Sequence, residues 1–399
     1  MPFNRLEPGA PSAAGGVPLS VPNIGGNEWQ YVKECLDSGW VSSAGPFVDR
    51  FESEFARAVG APFAVATASG TAALHLALLT AGMGPGDEVV VPSLTFIASA
   101  NSVRYTGAYP VFVDVEPDYW QLDPDAVRAF LATECTRTTE GVRNTRTDRR
   151  VAAIMPVDLL GHPCDLVRLT AIADEYGLAI VEDATEALGA ERDGRRIGSD
   201  APVACFSFNG NKLISTGGGG MVTTHDATVA ARVRYLSTQA KTDPLEFVHG
   251  DVGYNYRLTN LQAAVGCAQL ERLGEFLTSK RAIADRYADE LGALPGVTPM
   301  REPGWGRSAF WLSTVLIDGP RFGMDSRKLL RALEANGIQA RPLWQAMHRS
   351  PAHRDSFAAQ CPVAERLTRD ALSLPCSTGL TGAEQDRVIA AVVRAARGG

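Results

Sequence analysis

The sequence predicts an α/β protein: a three-layer large domain with helices on both faces of a mostly parallel sheet, followed by a smaller C-terminal α+β domain. Three observations carry this. Between about residues 27 and 225, short β-branched runs alternate with stretches of helical periodicity, the pattern of strand–helix–strand crossovers. After residue 260 the texture changes to long amphipathic helices with few strands between them. A chain of 399 residues is also too long for one ordinary core. The expected division is an extended arm over 1–26, a large domain over 27–255 and a small domain over 256–399.

Taken in order, the predicted strands of the large domain are Phe63–Thr67, Glu88–Val91, Pro110–Val115, Val151–Val157, Leu178–Glu182, Ala204–Phe208 and Met221–Thr224. Between them the periodicity predicts helices over Thr71–Ala81, Phe96–Thr106, Asp123–Ala132 and Asp165–Tyr176. Residues 133–150 hold five Arg, two Glu and one Asp and break the alternation; a surface loop or ragged helix end is expected. In the small domain, Asn260–Leu277, Ser279–Leu294, Asp325–Asn336 and Gly382–Arg397 read as helices and Ala309–Ile317 as a strand. Residues 1–26 are rich in Pro, Gly and Ala but have no basic start followed by an apolar stretch. They read as an arm and not a signal peptide.

Composition narrows the function classes. A net charge of −7 and a pI near 5.5 speak against nucleic acid as the main partner, and no apolar run approaches the length of a membrane span. Seven cysteines without a Cys-x-x-Cys pair suggest reduced thiols and a cytoplasmic protein. The six histidines form no ligand-spaced cluster, so no metal site is expected. Of 38 basic residues only five are lysines. Lys33, Lys280 and Lys328 sit in charged helical surroundings that solvation explains, and Lys241 lies in a polar loop.

Lys212 is different. It follows the apolar strand Cys205-Phe-Ser-Phe208 in a Gly/Asn-rich turn, with no carboxylate within eight residues on either side. A desolvated lysine at a strand end can form a Schiff base with an aldehyde; an incidental loop lysine is the plain alternative. Glu182-Asp183-Ala-Thr-Glu186 places carboxylates at another strand end, where α/β proteins bind ligands and where an acid could keep a pyridinium nitrogen protonated or merely cap a turn. Ser69-Gly70-Thr71 opens an Ala/Leu-rich helix, a start suited to a phosphate or to an ordinary cap. Phe96 ends a further strand–loop segment and offers a ring for stacking. Phosphate donors, ring, carboxylate and amine together are the parts that hold pyridoxal 5′-phosphate.

With these residues in place, the chain resembles the DegT/DnrJ/StrS family of nucleotide-sugar aminotransferases, of the fold-type I architecture. The resemblance runs over about residues 20–399 and includes Gly39-Trp-Val-Ser-Ser43, Ser69-Gly-Thr71, Glu182-Asp-Ala184, Phe206-Ser-Phe-Asn-Gly-Asn-Lys212 and Gly253-Tyr-Asn-Tyr-Arg257. It implies that Lys212 carries the cofactor as a Schiff base and shuttles the proton, and that Asp183 pairs with the pyridine nitrogen. Phe96 would cover the ring, while Ser69, Gly70, Thr71 and Ser207 would take the phosphate. Glu186 stands where many relatives have Gln or His, near cofactor and substrate, and Asp158 where many have His. Asn255 would reach a partner's phosphate across a homodimer. Trp40, Ser42, Tyr256, Arg257 and His348 would contact substrate. Glutamate would be the amine donor. The phrases Asp118-Tyr-Trp-Gln-Leu-Asp-Pro124 and Phe208-Asn-Gly-Asn-Lys212 resemble the branch that aminates C4 of UDP-linked 4-keto-6-deoxy-N-acetylhexosamines. C3-aminating relatives share most of the motifs, and a non-enzymatic regulator of the same fold is the rival from another class. A dehydratase would carry His in place of Lys212, and Gly217–Gly220 lacks the spacing of a nicotinamide-binding turn.

Overall fold

The computed structural model describes residues 15–243 and 245–397, so residues 1–14 of the expected arm lie outside it. The remainder of the arm is no free extension. Val17 pairs with Ile338, its N–H donating to the Gly337 carbonyl at 2.8 Å, and the Cys376 N–H donates to Leu19 at 2.7 Å. Residues 17–19 thus strap the small domain, while the Asn23 carbonyl accepts from the Gln269 side chain at 2.9 Å.

Two helices, α1 (Glu28–Ser38) and α2 (Pro46–Val59), precede the first strand, β1 (Phe63–Thr67). The alternation then runs α3 (Gly70–Thr80), β2 (Asp87–Pro92), α4 (Ile97–Tyr105), β3 (Tyr109–Val113) and α5 (Pro124–Thr133). β2 pairs in parallel with β3 and with the later strand over Arg150–Ile154.

The polar stretch expected as a loop is a hairpin, β4 (Cys135–Thr138) and β5 (Gly141–Asn144), added antiparallel to β6 (Arg150–Ile154) at the sheet edge. Its polarity misled because an edge strand tolerates charge. Here the arginines pair with strand acids: Arg150 binds Asp87 at 2.8 Å, and Asn144 donates to Glu88 at 2.9 Å. Val142 turns inward and is buried.

After α6 (Leu166–Tyr176), the expected strand Leu178–Glu182 is broken at Val181 into β7 (Ala179–Ile180) and β8 (Glu182–Asp183). A small hairpin, β9 (Glu191–Arg192) with β10 (Arg195–Arg196), leads to β11 (Val203–Ser207) and β12 (Gly220–Thr224). β11 is parallel to β8, and β12 is antiparallel to both β11 and β1. Along β2, Val89 and Val91 belong to one buried cluster and Val90 to another. The strand is thus covered on both faces, as in a three-layer α/β sheet.

α7 (Ala227–Ser237) and a short hairpin, β13 (Lys241–Asp243) with β14 (Val248–His249), complete the first part. The two long helices divide at Arg272, giving α8 (Asn260–Glu271) and α9 (Leu273–Leu291). α8 packs into the large core through Ala263, Ala264 and Cys267, whereas Ile283 and Tyr287 of α9 enter the second core. The packing therefore changes hands within α9, later in the chain than residue 256.

The small domain is an antiparallel sheet in the order β15 (Val297–Pro299), β17 (Ser313–Ile317), β19 (Ala371–Leu374), β18 (Arg341–Pro342), with α10 (Ser326–Ala335) and α11 (Gly382–Arg397) among its helices. β16 (Gly306–Arg307) instead joins β9. The strand expected from Ala309 begins four residues later. Phe310 has φ +45, and the Ala309 N–H donates to Gly161 at 2.9 Å, so the chain there is a bend held against the large domain. Lys280 corrects another expectation: it is 1% exposed, its ammonium donating to the Trp311 carbonyl at 2.8 Å.

Candidate active site

Strand register brings the sequence-predicted residues to one edge of the sheet. Thr67 of β1 lies opposite Gly220 of β12, Gly220 opposite Ser207 of β11, and Cys205 beside Asp183 of β8. The chain leaves these strand ends as Ser69-Gly-Thr71, Asp183–Glu186 and Ser207–Lys212. This is the carboxyl-end crevice where open α/β sheets take ligands.

Ser69 caps α3, its Oγ accepting from the Ala72 N–H at 3.1 Å. The N–H groups of Gly70 and Thr71 have no acceptor within the helix by position. Ser207 closes on this start so tightly that a Cβ at Gly70 would lie 2.7 Å from Ser207 Cβ. Gly220 permits the approach from the other side, since a Cβ there would meet the Ser69 carbonyl oxygen at 2.5 Å. Two hydroxyls and a helix start in so narrow a cradle suit a phosphate. Gly70→Ala is expected to weaken binding of a phosphorylated cofactor by at least about tenfold, although alanine favours a helix over glycine. Cofactor titration checks this; unchanged affinity would mean that the cradle can widen freely.

Asp183 is buried at the end of β8, and both its oxygens accept from neutral donors: Oδ2 from Ser99 Oγ at 2.7 Å and Oδ1 from the Thr185 N–H at 3.1 Å. Behind it Arg192, itself buried, gathers Glu182 at 2.6 Å, Asp200 at 2.9 Å and Asp158 at 3.5 Å. Burial pushes both Asp158 and Glu182 above the usual carboxylate range, with Arg192 opposing. The cluster braces the strand: the Asp158 N–H donates to the Asp183 carbonyl at 3.0 Å.

Lys212 closes a turn on Asn209, and its Nζ lies 3.4 Å from Glu186 Oε1 and 3.9 Å from the centroid of the Trp311 ring. Glu186 is buried. Its other oxygen accepts from the Leu160 N–H at 2.8 Å. Burial raises its carboxyl and the Lys212 charge opposes the rise. Leu160 holds φ +60, a left-handed conformation of the kind that concentrates at functional sites. Phe96 remains half exposed, its ring centroid 5.9 Å from that of Trp344, which stacks at 8° on Trp311. Ser99, Trp311 and Trp344 escaped the sequence reading. Ser99 lies three residues beyond Phe96 on α4, a spacing that offered a signal; the tryptophans offered none without the tertiary fold.

Other expected substrate contacts are engaged elsewhere. Arg257 binds Glu52 at 2.8 Å, an acid that also holds Arg234, so its charge is committed within the chain. Tyr256 stacks on Tyr254 and meets His75 edge-on. His348 uses both ring nitrogens, with Ser93 Oγ at 2.6 Å and Glu365 at 3.0 Å, and so ties the loop carrying Phe96 to the small domain. Trp40 and Ser42 are exposed while their carbonyls bind Asn260. Asn255 is exposed. No group of three or more metal-ligating side chains occurs among the described residues.

Comparison with known proteins accords with this geometry. The chain is 42% identical over 377 residues to a GDP-perosamine synthase of Caulobacter vibrioides, covering 94% of this chain and 97% of the relative. It is 36% identical to a GDP-perosamine synthase of Escherichia coli O157:H7, with 92% and 94% covered. The crystal structure of S. venezuelae DesV in complex with a ketimine intermediate superposes with a TM-score of 0.83 at 36% identity, covering 93% of this chain and 94% of that one. Residues 22–393 match the model of one family, and the chain belongs to it: the DegT/DnrJ/EryC1/StrS aminotransferases.

Proposed function

We propose that the protein is a pyridoxal 5′-phosphate-dependent aminotransferase that moves an amino group from glutamate to the keto carbon, at C4, of a nucleotide-linked 4-keto-6-deoxy sugar. The observation that carries this is the meeting of the Gly70–Ser207 cradle, the buried Asp183 carboxylate and the Lys212 amine at one sheet edge. Those residues fit the cofactor: donors for its phosphate, an anion that accepts from the neutral Ser99 hydroxyl and Thr185 N–H, and an amine at a strand end. When bound, the cofactor supplies an aldehyde that captures amines and a ring that takes up electrons.

The chain's own groups do the rest. Ser69, Gly70, Thr71 and Ser207 hold the phosphate, and Phe96 covers the ring. Asp183 holds a proton on the pyridine nitrogen. Lys212 Nζ anchors the cofactor and, once freed, carries the proton between cofactor and substrate carbon. Glu186, itself buried, offers Lys212 a counter-ion at 3.4 Å. The sequence resemblance points to a UDP-N-acetylhexosamine derivative, whereas relatives at 42%, 36% and 35% identity are named GDP-perosamine synthases. That agreement puts a GDP-linked sugar first. Incubation with glutamate and a panel of GDP-, UDP- and TDP-linked 4-keto sugars tests both levels: turnover of none overturns the aminotransferase reading, and preference for the UDP sugar overturns the guanine assignment.

Homodimerisation through a shared site is part of the proposal. Asn255 is exposed beside the Tyr254–Tyr256 stack, and Trp29, Leu36 and Trp40 stand in solvent at 79%, 58% and 52% exposure. If Asn255 completes the partner's phosphate site, Lys212→Ala and Asn255→Asp chains should rescue each other on subunit exchange. One site of each heterodimer then has both residues native. Activity near a quarter of wild type is expected, since roughly half the dimers carry one good site. Absence of recovery despite proven exchange would mean that each subunit builds its own site. Cytoplasmic location accords with seven free cysteines, and no helix among the described residues is long and apolar enough to cross a membrane.

A further inference from the structure

We infer that Trp311, from the small domain, is a positioning residue for Lys212: its indole face seats the ε-ammonium group, and its N–H fixes the turn that carries the lysine. The inference rests on the reading of Lys212 given above. Two contacts join the residues. Lys212 Nζ lies 3.9 Å from the ring centroid, and Trp311 Nε1 donates to the Asn211 carbonyl at 2.7 Å. One side chain thus holds both the head of the lysine and the peptide unit before it.

The ring has little freedom to leave this place. Trp311 is 3% exposed, and its carbonyl accepts from Lys280, an ammonium buried inside the small domain for that contact. Gly161 packs against the main chain so close that a Cβ there would lie 2.8 Å from the Trp311 backbone nitrogen, which fixes the residue's Cα. Trp344 stacks on the indole at 6.3 Å. Glu186 stands 3.4 Å from Nζ, so the ammonium sits between a carboxylate of the large domain and a π face of the small one. A tryptophan serving the core alone needs neither a cation on its face nor a bond to this turn. An ammonium on an aromatic face is favoured over the free amine. The readiness of Lys212 to attack an aldehyde should therefore depend on the electron density of ring 311.

Fluorination withdraws that density while nearly preserving shape. The full-length chain, stripped of cofactor, would be prepared with its six tryptophans replaced by mono-, di- and trifluorotryptophan. Capture of pyridoxal 5′-phosphate at neutral pH is then followed by the growth of its visible absorbance. Capture should accelerate along the series by about 2- to 10-fold in all, both in wild type and in Trp344→Phe. In Trp311→Phe the series should be flat, with Trp311→Tyr as the same control if the phenylalanine variant does not fold. Equal acceleration in a chain lacking Trp311, or none in wild type, overturns the inference and leaves the assignment of Lys212 standing. A wild-type chain that captures no cofactor overturns that assignment and the inference with it.

Discussion

Lys212→Ala is expected to remove transamination while leaving a folded chain. The side chain is 12% exposed and makes one ion pair, to Glu186, and one aromatic contact, to Trp311, so its loss costs little packing. The chemistry loses far more. No other lysine is placed to replace it: Lys280 is buried inside the small domain, Lys33 and Lys328 stand beside Asp37 and Asp325 on the surface, and Lys241 lies over the Phe247 ring. Proton transfer by a positioned group is worth roughly 10²- to 10⁴-fold, and the covalent anchor disappears as well. The measurement is turnover with glutamate and keto sugar, beside the visible absorbance of added cofactor and a melting curve. A folded variant that turns over at the wild-type rate would end the assignment. Alanine also leaves Glu186 buried without its cation. Burial already raises that carboxyl and the Lys212 charge opposes the rise, so losing the cation pushes it further up. The melting temperature is expected to change little near neutral pH.

How much of this site the sequence disclosed follows from where each signal originates. Lys212, Asp183 and Ser69–Thr71 were legible because each stands where an apolar run meets Gly, Ser or acid, and strand ends of one sheet necessarily converge. The broken strand at Val181 and the edge hairpin at 135–144 were not. The hairpin's inward residue, Val142, is a single apolar side chain among arginines, too little for a period-2 pattern to show. Arg257 and His348 looked like free polar groups because sequence does not reveal partners. Their partners, Glu52 and Glu365, lie 205 and 17 residues away. Lys280 misled for the same reason: its neighbours on α9 are charged, but its own face of the helix turns toward Trp311. Long-range pairings of this kind need the fold first. Trp311 and Trp344 belong to the second domain, and only their meeting above Lys212 gives them meaning.

Asp183→Asn should separate charge from shape. The amide is nearly isosteric, so the Thr185 N–H can still donate to Oδ1, and Ser99 Oγ can turn to accept from the new amide. The native carboxylate is 2% exposed, and the Ser99 hydroxyl and Thr185 N–H that donate to it are neutral. A buried anion in that position is stabilised best by a cation brought to it, which a protonated pyridine nitrogen would supply. Substitution therefore removes a buried charge at no cost to the empty site, and the melting temperature without cofactor should stay level or rise. Cofactor affinity should fall only modestly, because the Gly70–Ser207 cradle and Lys212 are untouched. Turnover should fall by about 10²- to 10³-fold, the scale of breaking one buried charge pair. An amide does not titrate, so the loss should be uniform across the working pH range and no shift of buffer should restore it. An unimpaired rate would show that another group holds the ring nitrogen. A lowered melting temperature together with lost activity would instead make Asp183 a structural residue, bracing β8 alongside Glu182 and Arg192.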